Sequence, residues 1–149
     1  MSTPGRFTIG HLARETGCKV QTIRYYEQIG LMPAAARTHG NQRVYGDADV
    51  RRLAFIRHGR ELGFPLNAVR ALLGLADDPN QPCRTADAIA RTHLHQVESR
   101  IERLQALKRE LERMVRQCAG GHIGQCRVIE VLADHAQCLE MHHAPVDKG

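Results

Sequence analysis

The sequence predicts an all-α protein with a small β wing: a winged helix-turn-helix domain, a long antiparallel coiled-coil helix, and a short C-terminal loop and helix. Three observations lead there. Hydrophobic residues make up 42% of the 149-residue chain but aromatics only 4%, with no Trp, so the core must come from Leu, Ile, Val and Ala on helices. Glycines and prolines divide the first half into short periodic segments. From Thr85 to Gln117 no Gly or Pro interrupts the chain.

The first helix is carried by Ile9, Leu12 and Ala13, and breaks at Thr16-Gly17. A second follows with Val20, Ile23, Tyr26 and Ile29 and ends at Gly30 before Pro33. Two short helices joined by a tight glycine turn form a helix-turn-helix, whose second helix would present Gln21, Thr22, Arg24 and Tyr25 to DNA. Residues Ala36 to Tyr45 place Arg37, His39, Asn41, Arg43 and Tyr45 around a glycine turn, the pattern of a short hairpin wing.

Asp47 or Asp49 is expected to cap a third helix with Val50, Leu53, Ala54 and Ile56 on its apolar side, stopped by Gly63. Phe64-Pro65 starts a fourth, with Leu66, Val69, Leu72 and Leu73. The polar stretch Asp77-Asp78-Pro79 closes it, so residues 1–78 are expected to form the first domain. In the long segment, Leu94, Val97, Ile101, Leu104, Lys108, Leu111 and Val115 recur at alternating steps of three and four, a heptad seam. A helix of that length reaches about 50 Å, too long to bury a narrow stripe on so small a domain, so a partner helix from a second subunit is implied. Residues 79–118 are read as linker and dimerisation helix. Residues 118–149 hold a loop broken at Gly120-Gly121, a short helix near Arg127 to Ala136, and a tail.

Charge separates the halves. Residues 1–75 carry 11 Lys/Arg against 5 Asp/Glu, and the remainder 10 against 11. A basic N-terminal half suits phosphate contact, driven by release of counterions. For any single arginine the competing reading is a solvated surface charge. No run of about 18 apolar residues and no signal peptide is found, so a cytoplasmic protein without a membrane partner is expected. In that reducing setting the five cysteines are better read as ligands, reactive thiols or packing residues than as disulfides.

The stretch Ile9-Gly10-His11-Leu12-Ala13, Thr16-Gly17-Cys18, Thr22-Ile23-Arg24-Tyr25-Tyr26-Glu27 and Gly30-Leu31 resembles the N-terminal signature of MerR-family regulators. The likeness continues through Gly40-Asn41-Gln42-Arg43-Val44-Tyr45, Leu53-Ala54-Phe55-Ile56-Arg57 and Leu62-Gly63-Phe64 to Leu72-Leu73. Gln42 departs from it, standing where the family usually has an aromatic residue. The resemblance implies a homodimer that binds a palindromic operator in promoter DNA. On effector binding it would untwist and bend the DNA, so that RNA polymerase engages both promoter elements. It also implies DNA contacts from Arg24 and Tyr25 on the recognition helix and from Arg37, Arg43 and Tyr45 on the wing.

Cys83 precedes Cys118 by 35 residues and Cys126 follows Cys118 by eight. In an antiparallel helix pair the start of one helix lies beside the end of the other, which would bring Cys83 of one subunit to Cys118 and Cys126 of the next. This arrangement resembles the metal-sensing branches of the family, where a cysteine before the dimerisation helix accompanies divalent ions. Thiolates suit zinc, cadmium, lead or mercury and leave a fourth position for His122, water or nothing. The eight-residue loop is similar to copper(I) sensors as well. His135, Cys138, His142 and His143 leave open an added ligand or a second site, while Cys18, in the helix-turn-helix turn, reads as packing.

Other functions fit less well. An iron–sulfur sensor needs four close cysteines, and a multidrug sensor needs an aromatic effector pocket, yet no Phe, Tyr or Trp follows Phe64. A thiol enzyme lacks a base with a recognisable partner. A metal buffer without DNA function leaves the basic half unexplained.

Overall fold

A computed structural model describes residues 5–118 and 120–134; the histidines and cysteine named at 135, 138, 142 and 143 lie outside them. Helix α1 spans Ile9–Thr16, α2 Val20–Gln28, α3 Asp47–Glu61, α4 Leu66–Ala76, α5 Cys83–Gln117 and α6 Arg127–Ala133. Strands β1, Ala36–Arg37, and β2, Arg43–Val44, pair antiparallel with Ala36 opposite Val44 and Arg37 opposite Arg43. This is the mostly helical architecture with a two-stranded wing that the sequence predicts.

Local chemistry accounts for the boundaries. The Thr8 hydroxyl accepts from the His11 N–H at 3.2 Å and caps α1. Gly17, at φ 68°, ends that helix in the left-handed region. The wing turns at Asn41, φ 62°, a residue type that tolerates this conformation, and the Thr38 hydroxyl accepts from the Gln42 N–H at 3.2 Å. That bond belongs to the backbone, so the turn closes without an aromatic residue at position 42. Helix α3 begins one residue earlier than a cap at Asp47 requires. Gly46 is its N-cap and Asp49 reaches back to accept from the Gly46 N–H at 2.8 Å. Helix α5 begins at Cys83, directly after Pro82, rather than at Thr85.

By packing, the chain divides into two units, the first running through Ile89. It therefore takes in the opening turns of α5, where Cys83 and Ala86 line a depression with Phe55, Leu72 and Pro79. Its core is Leu12, Ile23, Tyr26, Leu31, Met32, Tyr45, Leu53, Ile56, Val69 and Leu73, with Cys18 partly buried against it. Burying each large side chain contributes about 1.5–3 kcal/mol.

Part of the basic charge in this unit is structural. Arg57 donates to the Thr16 carbonyl at the end of α1. Arg70 donates to the Ile29 carbonyl after α2 at 2.5 Å, Arg52 to Leu31 at 2.9 Å, and Arg60 to Phe64 at 2.8 Å. Carbonyls at chain reversals lack helical partners and carry partial negative charge, which a guanidinium fork satisfies. For these four arginines the surface-charge reading is joined by a specific bond to the main chain, which holds the guanidinium in place while leaving its charge.

In the second unit, from Ala90 on, the α5 residues Ala106, Glu110 and Met114, spaced by four on one helix face, are buried, as is Val131 on α6. Glu110 pairs with Arg113, and Arg127 Nε donates to Gln117 Oε1 at 3.0 Å, tying the start of α6 to the end of α5. Elsewhere on α5, Leu94, Ile101, Leu104, Leu111 and Val115 are exposed. Among the described residues no helix is long and apolar enough to cross a membrane.

Candidate nucleic-acid interface and metal centre

Helix α2 is held by Ile23 and Tyr26, both buried, which turns Gln21, Arg24 and Tyr25 outward and leaves Thr22 half-buried. Arg24 is exposed, and among the described residues no side chain pairs with it. Gln21, Thr22 and Tyr25 line a shallow groove together with Arg60 from α3. Sequence periodicity places Arg60 merely on the polar side of its helix, and only the packing of α3 brings it beside α2. Burial raises the Tyr26 pKa, reinforced by the nearby Cys18 and opposed by Arg60, so this ring stays neutral and serves as packing.

On the wing, Arg37 is exposed and its Nη1 donates to the Asn41 carbonyl at 3.0 Å. It and Asn41 thus sit together at the hairpin end. Arg43 is half-buried and its Nη1 lies 3.4 Å from Glu27 Oε2. Tyr45 corrects an expectation: it is 2% exposed, a core residue rather than a surface one. Its backbone bridges to Phe7, its ring joins the core, and its hydroxyl donates to Glu27 Oε1. Burial, then the bond to Glu27, pushes its pKa up to about 12. An alternating wing pattern cannot distinguish an inward tyrosine from an outward one when both faces carry polar atoms.

The cysteines separate into two places. Cys83 is exposed at the first residue of α5. Cys118 directly follows the last residue of α5, and Cys126 is the residue before α6. The two stand at either end of one loop, near enough for Cys118 to act on the Cys126 thiol. The Cys126 pKa is lowered, first by the backbone N–H groups of Ile129 and Val128, against desolvation, with the smallest contribution from Cys118. The loop thereby favours a thiolate, the form that binds soft metal ions.

His122 is exposed at the start of a single 3-10 turn, Ile123–Gln125. Among the described residues no group of three or more Cys, His, Asp or Glu side chains comes together to hold a metal. His122 lies in the loop between Cys118 and Cys126, and its carbonyl accepts from the Gln125 N–H at 3.0 Å to close the turn. Cys83 opens the 35-residue helix that Cys118 follows.

A buried two-helix unit with an outward second helix, followed by a paired wing, defines a winged helix-turn-helix DNA-binding protein. Residues 7–75 match the MerR HTH family of regulatory proteins, and residues 50–114 match the family described as MerR, DNA binding. The chain is 39% identical to the HTH-type transcriptional regulator ZntR of Escherichia coli over 133 residues, covering 87% of this chain and 94% of that one. In structure it resembles the transcription regulator PbrR691 of Ralstonia metallidurans, solved in complex with lead(II). The TM-score is 0.74 and the identity 37%, covering 85% of this chain and 98% of the other. It also resembles the dual-function regulator MerR of Bacillus megaterium in complex with mercury(II), at TM-score 0.62 and 32% identity, covering 85% and 99%. The chain belongs to the MerR family: it is a DNA-binding transcription regulator and not an enzyme.

Proposed function

We propose that this regulator is a metal-responsive homodimer. Through α2 and the wing it binds a palindromic operator in promoter DNA, and it activates metal-resistance genes when a thiophilic divalent ion, cadmium, lead, zinc or mercury, is bound. The observation that carries the metal reading is the placement of Cys118 and Cys126 at the two ends of one loop, with the N–H groups at the start of α6 lowering the Cys126 pKa. Two soft donors at this spacing fit a thiophilic ion, and the partner subunit's Cys83 supplies a third across an antiparallel dimer. Relatives of similar length that are named for lead(II) and mercury(II) complexes support the same assignment.

The dimer rests on the exposed α5 stripe of Leu94, Ile101, Leu104, Leu111 and Val115. An unpaired stripe at heptad spacing is the surface a partner helix covers. DNA contact falls to Gln21, Thr22, Arg24, Tyr25, Arg37, Asn41 and Arg43, while Tyr45 supports them from the core. Cys118 and Cys126 flank the junction between the end of α5 and the start of α6. Closing that junction would shift the two DNA-binding units relative to each other, so that distorted promoter DNA presents both of its elements to RNA polymerase.

The test is in vitro transcription from the regulated promoter together with operator binding. Cys118→Ser is expected to bind the operator as wild type does and to lose induction by every divalent ion. Full induction in Cys118→Ser would overturn the metal assignment, and loss of operator binding by the wild-type protein in all forms would overturn the regulatory one.

A further inference from the structure

Glu27 is the last charged residue of the recognition helix, and the expected DNA contacts assign it no part. Its side chain is only 11% exposed. Both carboxylate oxygens are engaged by the wing: Oε1 accepts from the Tyr45 hydroxyl, and Oε2 faces Arg43 Nη1 at 3.4 Å. That nitrogen is buried and makes no hydrogen bond of good geometry, so its placement rests on the charge of Glu27, with the Tyr45 hydroxyl beside the same arginine. The Arg43 side chain as a whole is 34% exposed. One edge of the planar guanidinium is therefore held inside, while the side chain as a whole stays open to solvent over about a third of its surface. A planar fork with one edge fixed has little freedom in where the other points.

We propose that Glu27 is a positioning residue for DNA binding: by gripping the inner edge of the Arg43 guanidinium it aims the outer edge at a DNA phosphate, locking the wing to the recognition helix. This rests on the reading above that Arg43 contacts DNA. It makes the recognition helix and the wing one rigid reader, since α2 carries the carboxylate and β2 carries the arginine. Tyr45 completes the clamp by fixing the carboxylate from its other oxygen.

The proposal runs against simple charge counting, which makes the test decisive. Removing an acidic residue from a DNA-facing unit should by charge alone tighten binding. Loss of an aimed arginine should weaken it and lower the dependence on salt, because each phosphate contact adds about 0.9 to the slope of log K against log salt. The experiment measures binding by fluorescence anisotropy over a range of potassium chloride concentrations. The probe is a duplex that the wild-type protein has selected from random sequence, and thermal unfolding of each variant is followed in parallel.

Glu27→Gln is expected to bind about tenfold more weakly, with a slope smaller by about 0.9 for each wing engaged. In an Arg43→Gln background the same change should cost nothing further. Glu27→Asp keeps the charge but withdraws it by one methylene, so it should show the same direction of change even if Glu27→Gln proves unstable. Tighter binding by Glu27→Gln with the slope kept, or an equal loss in the Arg43→Gln background, would overturn the positioning role alone. An unchanged slope in Arg43→Gln itself would overturn the assignment of Arg43 to DNA, on which the proposal depends.

Discussion

The Arg57 guanidinium on α3 donates to the main-chain oxygen of Thr16 at the end of α1, 41 residues earlier in the chain. This bond gives a basic residue a part in the frame, joining α3 to the end of α1. It also constrains Gly17, since a side chain there would meet the Arg57 guanidinium and would need an unfavourable φ of 68°.

Arg57→Ala is therefore expected to lower stability by about 1–2 kcal/mol, leaving a carbonyl without its partner, while the salt dependence of operator binding stays as in wild type. Arg24→Ala should do the reverse, keeping stability within about 0.5 kcal/mol and weakening operator binding. Urea unfolding and salt-dependent anisotropy on both variants check the pair of outcomes.

This division marks what was legible in the sequence. Helix boundaries followed from Gly17, Gly30, Gly63 and Pro65, because backbone sterics at those residues are local. The heptad stripe of α5 was likewise readable from spacing. The fate of individual arginines was not, since Arg24 and Arg57 look alike until tertiary packing places a carbonyl within reach of one of them. Tyr45 was misplaced for a related reason: an amphipathic ring fits either side of a two-residue strand, and the buried partner that decides it, Glu27, lies 18 residues away. The 3-10 turn that follows His122 was not legible, since no periodic pattern signals it.

The raised Tyr45 pKa predicts a pH effect. Its folded value, about 12, lies above the unfolded value of 10.0, so the folded state keeps a proton that the unfolded state releases. The stabilisation is fully present below the unfolded value and is lost as pH rises from there toward about 12. Tyr45→Phe should be less stable than wild type at neutral pH by about 1 kcal/mol. Its loss of stability in alkali should be shallower, as measured by unfolding at a series of pH values.

The lowered Cys126 pKa has the opposite sign. The folded state favours the thiolate, so alkylation of Cys126 should reach half its maximal rate at a lower pH in the native protein than in urea. Replacing Cys118 by Ala removes one contribution and should move the native profile part of the way back, since the Ile129 and Val128 N–H groups remain. Peptide mapping after timed alkylation follows Cys126 alone.

Leu104 and Leu111 lie in the exposed stripe of α5. Leu104→Glu with Leu111→Glu should convert the dimer to monomer in sedimentation equilibrium, because two charges would be buried without partners at a heptad seam. Operator binding should fall with it, since a palindrome engages two subunits.

A divalent thiolate site shared between subunits can be seen by titrating the reduced protein with metal ions. Zinc, cadmium, lead, mercury and copper(I) are added in turn while thiolate-to-metal absorption is followed in wild type and in Cys83→Ser. Thiolate bands with divalent ions that Cys83→Ser abolishes are the predicted result. Binding of copper(I) alone, unchanged by Cys83→Ser, would contradict the account and make the protein a monovalent sensor built on Cys118 and Cys126.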